Sequence, residues 1–334
     1  MAQVFALSRK APHGMLSVFP LLLAWAAAVA PRRSVGEAEP RAAHWVIRSS
    51  DLNETLTFLG GVLGMVVIRH EENAVPCPIT CNGRYDAPWS KTMVGYPGHF
   101  EDEWYCLEVT YNYGIQVYTP DNALLAFGLG VRDVPSTLAS ARAKGYASDG
   151  HRVVGPDGYV FELLPLRRPE PFLYVKVGVE DLDKAVQFYS ALGMQETNLM
   201  VSGLAEYSAV EYPAGWSVPL VLVPKPGVQW TDWSGRLAVS MPAGEISERY
   251  KQLPAERVVH ELGEVDEALG KLVITIVRDP DGFETCLVSS EFFDPSTRAA
   301  TTWVGPNWTA REELVSQYEA QRRAAGKPSL FGEL

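Results

Sequence analysis

The chain repeats itself, and this constrains its fold more than any other feature. Asp51-Leu52 opens a helical pattern that Leu63-Gly64-Met65 closes. Asp181-Leu182 opens a second, closed by Leu192-Gly193-Met194. The two starts lie about 130 residues apart, and the turn tripeptides Pro156-Asp157-Gly158 and Pro280-Asp281-Gly282 about 124 apart. That is the spacing of a duplicated domain rather than of a solenoid. Each copy divides again into two strand–helix–strand–strand–strand units. In the first unit His44–Ser49 alternates as a strand, and Asp51 with Glu54 has the form of a helix cap. The helix runs through Leu56, Phe58, Leu59 and Leu63, and Gly64 ends it. Strands are expected over Met65–His70, Lys91–Tyr96 and Tyr105–Tyr111. The second unit offers Leu124–Val131, a helix over Val134–Lys144, then Val153–Gly155 and Tyr159–Pro165. Leu173–Val179 restarts the order. The last unit runs from Arg236–Met241 through a helix near Ile246–Leu253 to Lys271–Val277 and Phe283–Ser289.

The expected class is therefore α+β, with four βαβββ units in two tandem domains, 42–168 and 169–291. A leader, 1–41, precedes them and a tail, 292–334, follows, in which Arg311–Ala325 forms one exposed helix. In the leader, Arg9 and Lys10 precede the apolar run Met15–Ala30. That layout suits a secretory signal, a signal anchor or an organelle-targeting leader, plastid and mitochondrion included. Any membrane contact is expected through this leader alone. A net charge of −11 with no basic block argues against nucleic acid as a partner. Four cysteines are too few for a disulfide scaffold. Cys77 and Cys81, spaced C-x3-C, read as a local structural or redox pair, with zinc the weaker alternative because no second ligand pair follows.

The segment Tyr105–Gly114 carries the chemistry. Alternation puts Cys106, Glu108 and Thr110 on one face and Leu107, Val109 and Tyr111 on the other. A carboxylate within an apolar, aromatic strand either faces water or, if buried, requires a cation or donor beside it. His44, Arg48, Asn112 and Glu162 are further polar side chains on expected strands.

These residues resemble the vicinal-oxygen-chelate superfamily, and within it glyoxalase I. The resemblance rests on H-x-x-x-R at His44–Arg48, E-x-T-Y-N at Glu108–Asn112 and P-D-G-Y-x-x-E at Pro156–Glu162. Cys81–Asp86 followed by Trp89–Gly95 is similar to tandem glyoxalase-domain proteins. The resemblance covers roughly 43–291 and is strongest in the first half. It implies curved sheets that close into a cup, within a monomer or homodimer. It also implies one divalent metal, zinc or nickel, and isomerisation of a glutathione hemithioacetal in which a glutamate moves the proton.

The family's ligand positions fall on His44, Glu108, Ala126 and Glu162 in the first domain. In the second they fall on Tyr174, Val221, Arg236 and Cys286. If each site draws on both domains, one holds His44, Glu108, Arg236 and Cys286, and Arg236 is expected to pair with Glu108 in place of a metal. If the first domain closes on itself, His44, Glu108 and Glu162 are the metal ligands, with Glu162 the catalytic base. Arg48 and Asn112 match the residues that hold a glutathione carboxylate, and Arg236 joins them as a substrate-binding cation. Two function classes stand: a small-molecule-binding glyoxalase relative with weak or absent lactoylglutathione lyase activity, and an active metal-dependent lyase.

Overall fold

The computed structural model describes residues 39–199, 207–213, 217–267, 270–299 and 308–327. The leader's apolar run lies outside these residues. Four βαβββ units follow one another. The first is β1 (Arg41–Ser49), α1 (Leu52–Gly61), β2 (Val66–Asn73), β3 (Trp89–Gly95) and β4 (Cys106–Asn112). The second is β5 (Leu124–Val131), α2 (Val134–Ala143), β6 (Ser148–Asp149), β7 (Arg152–Val154) and β8 (Val160–Pro165). The third is β9 (Phe172–Val179), α3 (Leu182–Ala191), β10 (Gln195–Thr197), β11 (Ser208–Glu211) and β12 (Leu220–Pro224). The fourth is β13 (Arg236–Met241), α4 (Ala243–Tyr250), β14 (Val258–Glu267), β15 (Gly270–Arg278) and β16 (Glu284–Ser289). Two more helices, α5 (Ser290–Ala299) and α6 (Trp308–Ala324), complete the described chain.

Local chemistry sets the helix starts. The carboxylates of Asp51, Asp133 and Asp181 accept from the backbone N–H groups of Glu54, Ser136 and Lys184. The Pro-Asp-Gly turn places Asp157 and Gly158 at φ of 57° and 86°, the latter a conformation glycine adopts freely. Asp157 then accepts from both the N–H and the hydroxyl of Ser50, which ties the turn to the end of β1.

The units combine crosswise. Sheet A has the order β14-β15-β16-β13-β1-β4-β3-β2, and sheet B the order β10-β11-β12-β9-β5-β8-β7-β6. The first unit therefore shares a sheet with the fourth, through an antiparallel β1–β13 join, and the second shares one with the third through β5–β9. In each unit the first and last strands run parallel. One face of each sheet packs on a common apolar core. Trp45 of β1 meets Phe127 of β5 and Phe283 edge-on, and Phe58 of α1 meets Phe161 of β8. The alternate residues of each sheet face the other way, where polar side chains such as His44 and Glu162 stand beside smaller apolar clusters.

The segment after Phe293 is more than a tail. Asp294 of α5 pairs with Arg41 and accepts from Ser240, and Arg298 pairs with Asp102 and Glu103. The helix expected over Arg311–Ala325 is present as α6, but it is not exposed throughout. Tyr318 is buried and donates to Asp86, which also pairs with Arg322 and Lys327.

Candidate functional site

The polar face of sheet A collects most of the chemistry. Register sets its rows. His44 on β1 lies beside Cys106 of β4 on one side and Ala238 of β13 on the other. One step along, Val46 separates Glu108 of β4 from Arg236 of β13, and Arg236 is followed by Glu284 of β16. On the outer side, Glu108 faces Met93 of β3, and Met93 faces Arg69 of β2.

His44 is the hub of this face. Its Nε2 lies 3.3 Å from Glu108 Oε2 and its Nδ1 3.2 Å from Glu101 Oε1, with all three side chains buried. Glu101 comes from the turn before β4, and its other oxygen takes Arg69 Nη2 at 2.7 Å and Nε at 3.2 Å. Arg69 also bonds Glu71, which pairs with Lys91 at 3.1 Å. Burial alone would lower the His44 pKa, but the two carboxylates outweigh it and raise it. Burial would raise Glu108, yet the contact with His44, aided by Lys91 and Arg48, holds it at about 2. Glu101 is likewise held far below the usual carboxylate range, by Arg69 and His44 against burial. The solvated reading of Glu108 is thus ruled out.

Two expectations need correction. Arg236 does not pair with Glu108. Its Nη2 pairs with Glu284 at 2.8 Å and donates to Thr80 O at 2.5 Å and Thr80 Oγ1 at 3.1 Å. The reason is register: Glu284 is on the neighbouring strand, whereas β1 and Val46 stand between Arg236 and Glu108. Glu162 does not join His44 and Glu108, because β8 belongs to sheet B. There it accepts from Tyr174 Oη and Lys176 Nζ, each at 2.6 Å, and pairs with Arg152 at 2.8 Å. The first domain does not close on itself, so a His44–Glu108–Glu162 ligand set does not assemble. Ala126 and Val221 also lie in sheet B.

Arg48 and Asn112 do sit on the polar face of sheet A, both fully buried. The Arg48 guanidinium donates to Cys81 O at 3.0 Å and Asp232 O at 3.3 Å. Asn112 exchanges hydrogen bonds with Asn82 and donates to Tyr118 Oη. An open groove of about 510 Å³, lined by Ser50, Asp51, Tyr111, Tyr113 and Val315, lies by the other face of β4 and holds none of these groups.

The four family ligand positions that meet in sheet A do not make a metal site as they stand. Arg236 is a fixed cation, and burial pushes the Cys286 thiol up to about 12, so it stays protonated. A different set converges. Ligand atoms of His44, Glu101 and Cys106 all lie within 4.8 Å of one another. His44 Nδ1 and Glu101 Oε1 are buried and meet each other at 3.2 Å, and no further hydrogen bond reaches either atom. This trio would hold a divalent metal only with Cys106 as the thiolate, and burial pushes that thiol well above its ordinary value, as it does Cys286. Sequence reading missed Glu101, which lies in the irregular acidic run Glu101-Asp102-Glu103 and reads there as surface charge. Cys106 had a signal, since alternation places it on the face of Glu108.

No family model matches the chain. Among curated proteins it is 33% identical over 277 residues to glyoxalase domain-containing protein 4 of Rattus norvegicus, covering 76% of this chain and 86% of that protein. It is 30% identical over 258 residues to glyoxalase 1 of Caenorhabditis elegans, covering 76% and 89%. Glyoxalase I from Zea mays matches in fold with a TM-score of 0.60 at 23% identity, covering 79% of this chain and 98% of that one. The crosswise sheets agree with the likeness in fold, and the sequence likenesses show that the chain belongs to the glyoxalase I-like family of the vicinal-oxygen-chelate superfamily.

Proposed function

We propose that the polar face of sheet A binds an anionic small molecule of the glutathione-adduct class, and that lactoylglutathione lyase activity is weak or absent. One observation carries this reading: the Arg236–Glu284 ion pair at a position where the family places a metal ligand. A guanidinium has no lone pair to offer a divalent ion, and although Glu284 meets its charge through Nη2, its Nη1 and Nε are donors of the kind that grip a carboxylate. Arg48 and Asn112 supply donors suited to a second carboxylate. Sheet B offers no equivalent, because Gly178 and Lys225 stand in the corresponding places.

A second reading, an active metal-dependent lyase, is favoured by the His44–Glu101–Cys106 convergence. When bound, the metal would supply Lewis-acid polarisation of a substrate oxygen. His44, Glu101 and Cys106 would hold it, and Glu108 would stay ionised beside His44 as an acceptor for a proton. Metal analysis of purified protein, combined with a hemithioacetal isomerase assay, separates the two. The first reading expects sub-stoichiometric zinc and nickel and negligible turnover, with S-hexylglutathione still bound. Stoichiometric metal with turnover replaces it by the second. The leader is proposed to route the chain to an organelle or the secretory pathway.

A further inference from the structure

Three consecutive residues occupy all three candidate substrate-binding side chains. Thr80 accepts from Arg236, Cys81 accepts from Arg48, and Asn82 exchanges bonds with Asn112. Each acceptor on Arg236 and Arg48 from this segment is a neutral carbonyl or hydroxyl oxygen, set where a bound carboxylate would place its own. The segment therefore fills the polar face of sheet A as an internal mimic of an anionic ligand.

What holds it there is local. Cys77 and Cys81 form a disulfide that closes a five-residue loop around Thr80. Thr80 sits at φ 60°, a left-handed conformation that a β-branched residue adopts only under constraint. Asn82 Oδ1 accepts from the Cys77 N–H at 3.1 Å, and the Gly83 N–H donates to Thr80 O at 2.9 Å. Both sulfur-bearing residues are half-buried, so a small thiol can reach them. The free cysteines, Cys106 and Cys286, are on β4 and β16, and Cys286 packs on the same apolar cluster as Ile79 of this loop.

We propose that the Cys77–Cys81 disulfide is a thiol-exchange site that gates the anion-binding face. The oxidised protein is plugged and the reduced protein is open. A small-molecule thiol attacks one sulfur as the thiolate, forming a mixed disulfide and releasing the other cysteine. A second thiol resolves it. The S–S bond of the protein breaks, an S–S bond forms between the two reductant sulfurs, and their two protons end on Cys77 and Cys81. Once the loop is free, Thr80 relaxes to an extended conformation and its carbonyl leaves Arg236. Arg48 and Arg236 then lose their acceptors from this segment, while Arg48 keeps Asp232 O and Arg236 keeps Glu284. The identity of the ligand rests on the function proposed above; the gate itself does not.

The test uses the full chain, oxidised, reduced with dithiothreitol, and as the double variant Cys77→Ser with Cys81→Ser. Hydrogen exchange of segment 77–86 reads the plug, and calorimetry with S-hexylglutathione, which carries no free thiol, reads the face. Reduction is expected to speed exchange in 77–86 at least tenfold and to raise affinity for the probe at least fivefold. The double variant should match the reduced protein with or without dithiothreitol. Equal exchange in the oxidised and reduced chains overturns the gate, as does mass spectrometry finding no Cys77–Cys81 bond in air-oxidised protein. Faster exchange without probe binding in either state upholds the gate and sinks the glutathione-adduct reading.

Discussion

The polar faces of the two sheets are built from the same kind of unit, yet they have become different objects. In sheet B, Glu162 is satisfied at both oxygens by Tyr174, Lys176 and Arg152. In sheet A, His44 stands between two carboxylates, and its Nδ1 and the facing Glu101 oxygen have only each other, at 3.2 Å. The join strands show how close the two once were. His44 lies opposite Ala238, and Tyr174 lies opposite Gly128, at matching places across β1–β13 and β5–β9. A tyrosine ring packed on a glycine has filled one site with its own structure. The lesson is that duplication preserves the scaffold, while a site survives only where buried polar groups are left incompletely paired.

The largest test of this contrast is the histidine. His44→Ala leaves two buried carboxylates without their shared cation, with an expected loss of about 3–5 kcal/mol in urea unfolding. Tyr174→Phe, which removes one hydroxyl from a carboxylate that keeps two other partners, should cost about 1–2 kcal/mol. If Tyr174→Phe proves the more damaging, the hub has been assigned to the wrong sheet.

Next in size is the packing of the join. A Cβ added at Gly128 would meet the Tyr174 ring at 2.3 Å. Gly128→Ala should destabilise by about 1–3 kcal/mol through forced displacement of that ring. Ala238→Gly, its counterpart in sheet A, should cost only about 0.5–1 kcal/mol, from backbone entropy. Equal melting-temperature losses for the pair would mean the two joins are packed alike.

The smallest expected effect is in the pH profile. Glu108 and Glu101 titrate below the ordinary 4.5, so the stability they contribute is present above 4.5 and lost as pH falls through their folded values, about 2 for Glu108. Glu162 is also lowered, so sheet B shares this acid limb. His44 is raised above 6.5, so its contribution is complete below 6.5 and lost as pH rises through its folded value. That alkaline limb belongs to sheet A. Melting temperature between pH 6.5 and 9 should fall by a few degrees, roughly a 1 kcal/mol change, in the parent chain. The slope should shrink in His44→Gln to the part left by Glu170 and Asp279, which burial pushes up to about 7, and an unchanged slope assigns the limb elsewhere.

Much of this was legible before any coordinates. Helix caps at Asp51 and Asp181 and the Pro-Asp-Gly turns marked the four units, and alternation placed Cys106 and Glu108 together. Short or charged strands were not legible: β10 to β12 are brief, and β14 carries five charged or histidine side chains as an edge strand, where solvation replaces apolar patterning. The helix expected near Ile246–Leu253 runs over Ala243–Tyr250, three residues earlier at both ends, with Pro242 at its N-cap. Partners across strands were the deepest gap. Nothing in the sequence says that Val46 stands between Arg236 and Glu108, and Glu101 arrives from a turn with no period to betray it.

The β1–β13 join has a consequence for synthesis. Its paired residues are nearly two hundred positions apart, while those of β5–β9 are close neighbours in the chain. On the ribosome, sheet B can therefore assemble as soon as its two middle units emerge, whereas β1 must wait with an open edge for the last third of the polypeptide. The half of the molecule that holds the ligand face is born last, and a nascent chain that stalls before β13 presents a lone strand edge to chaperones.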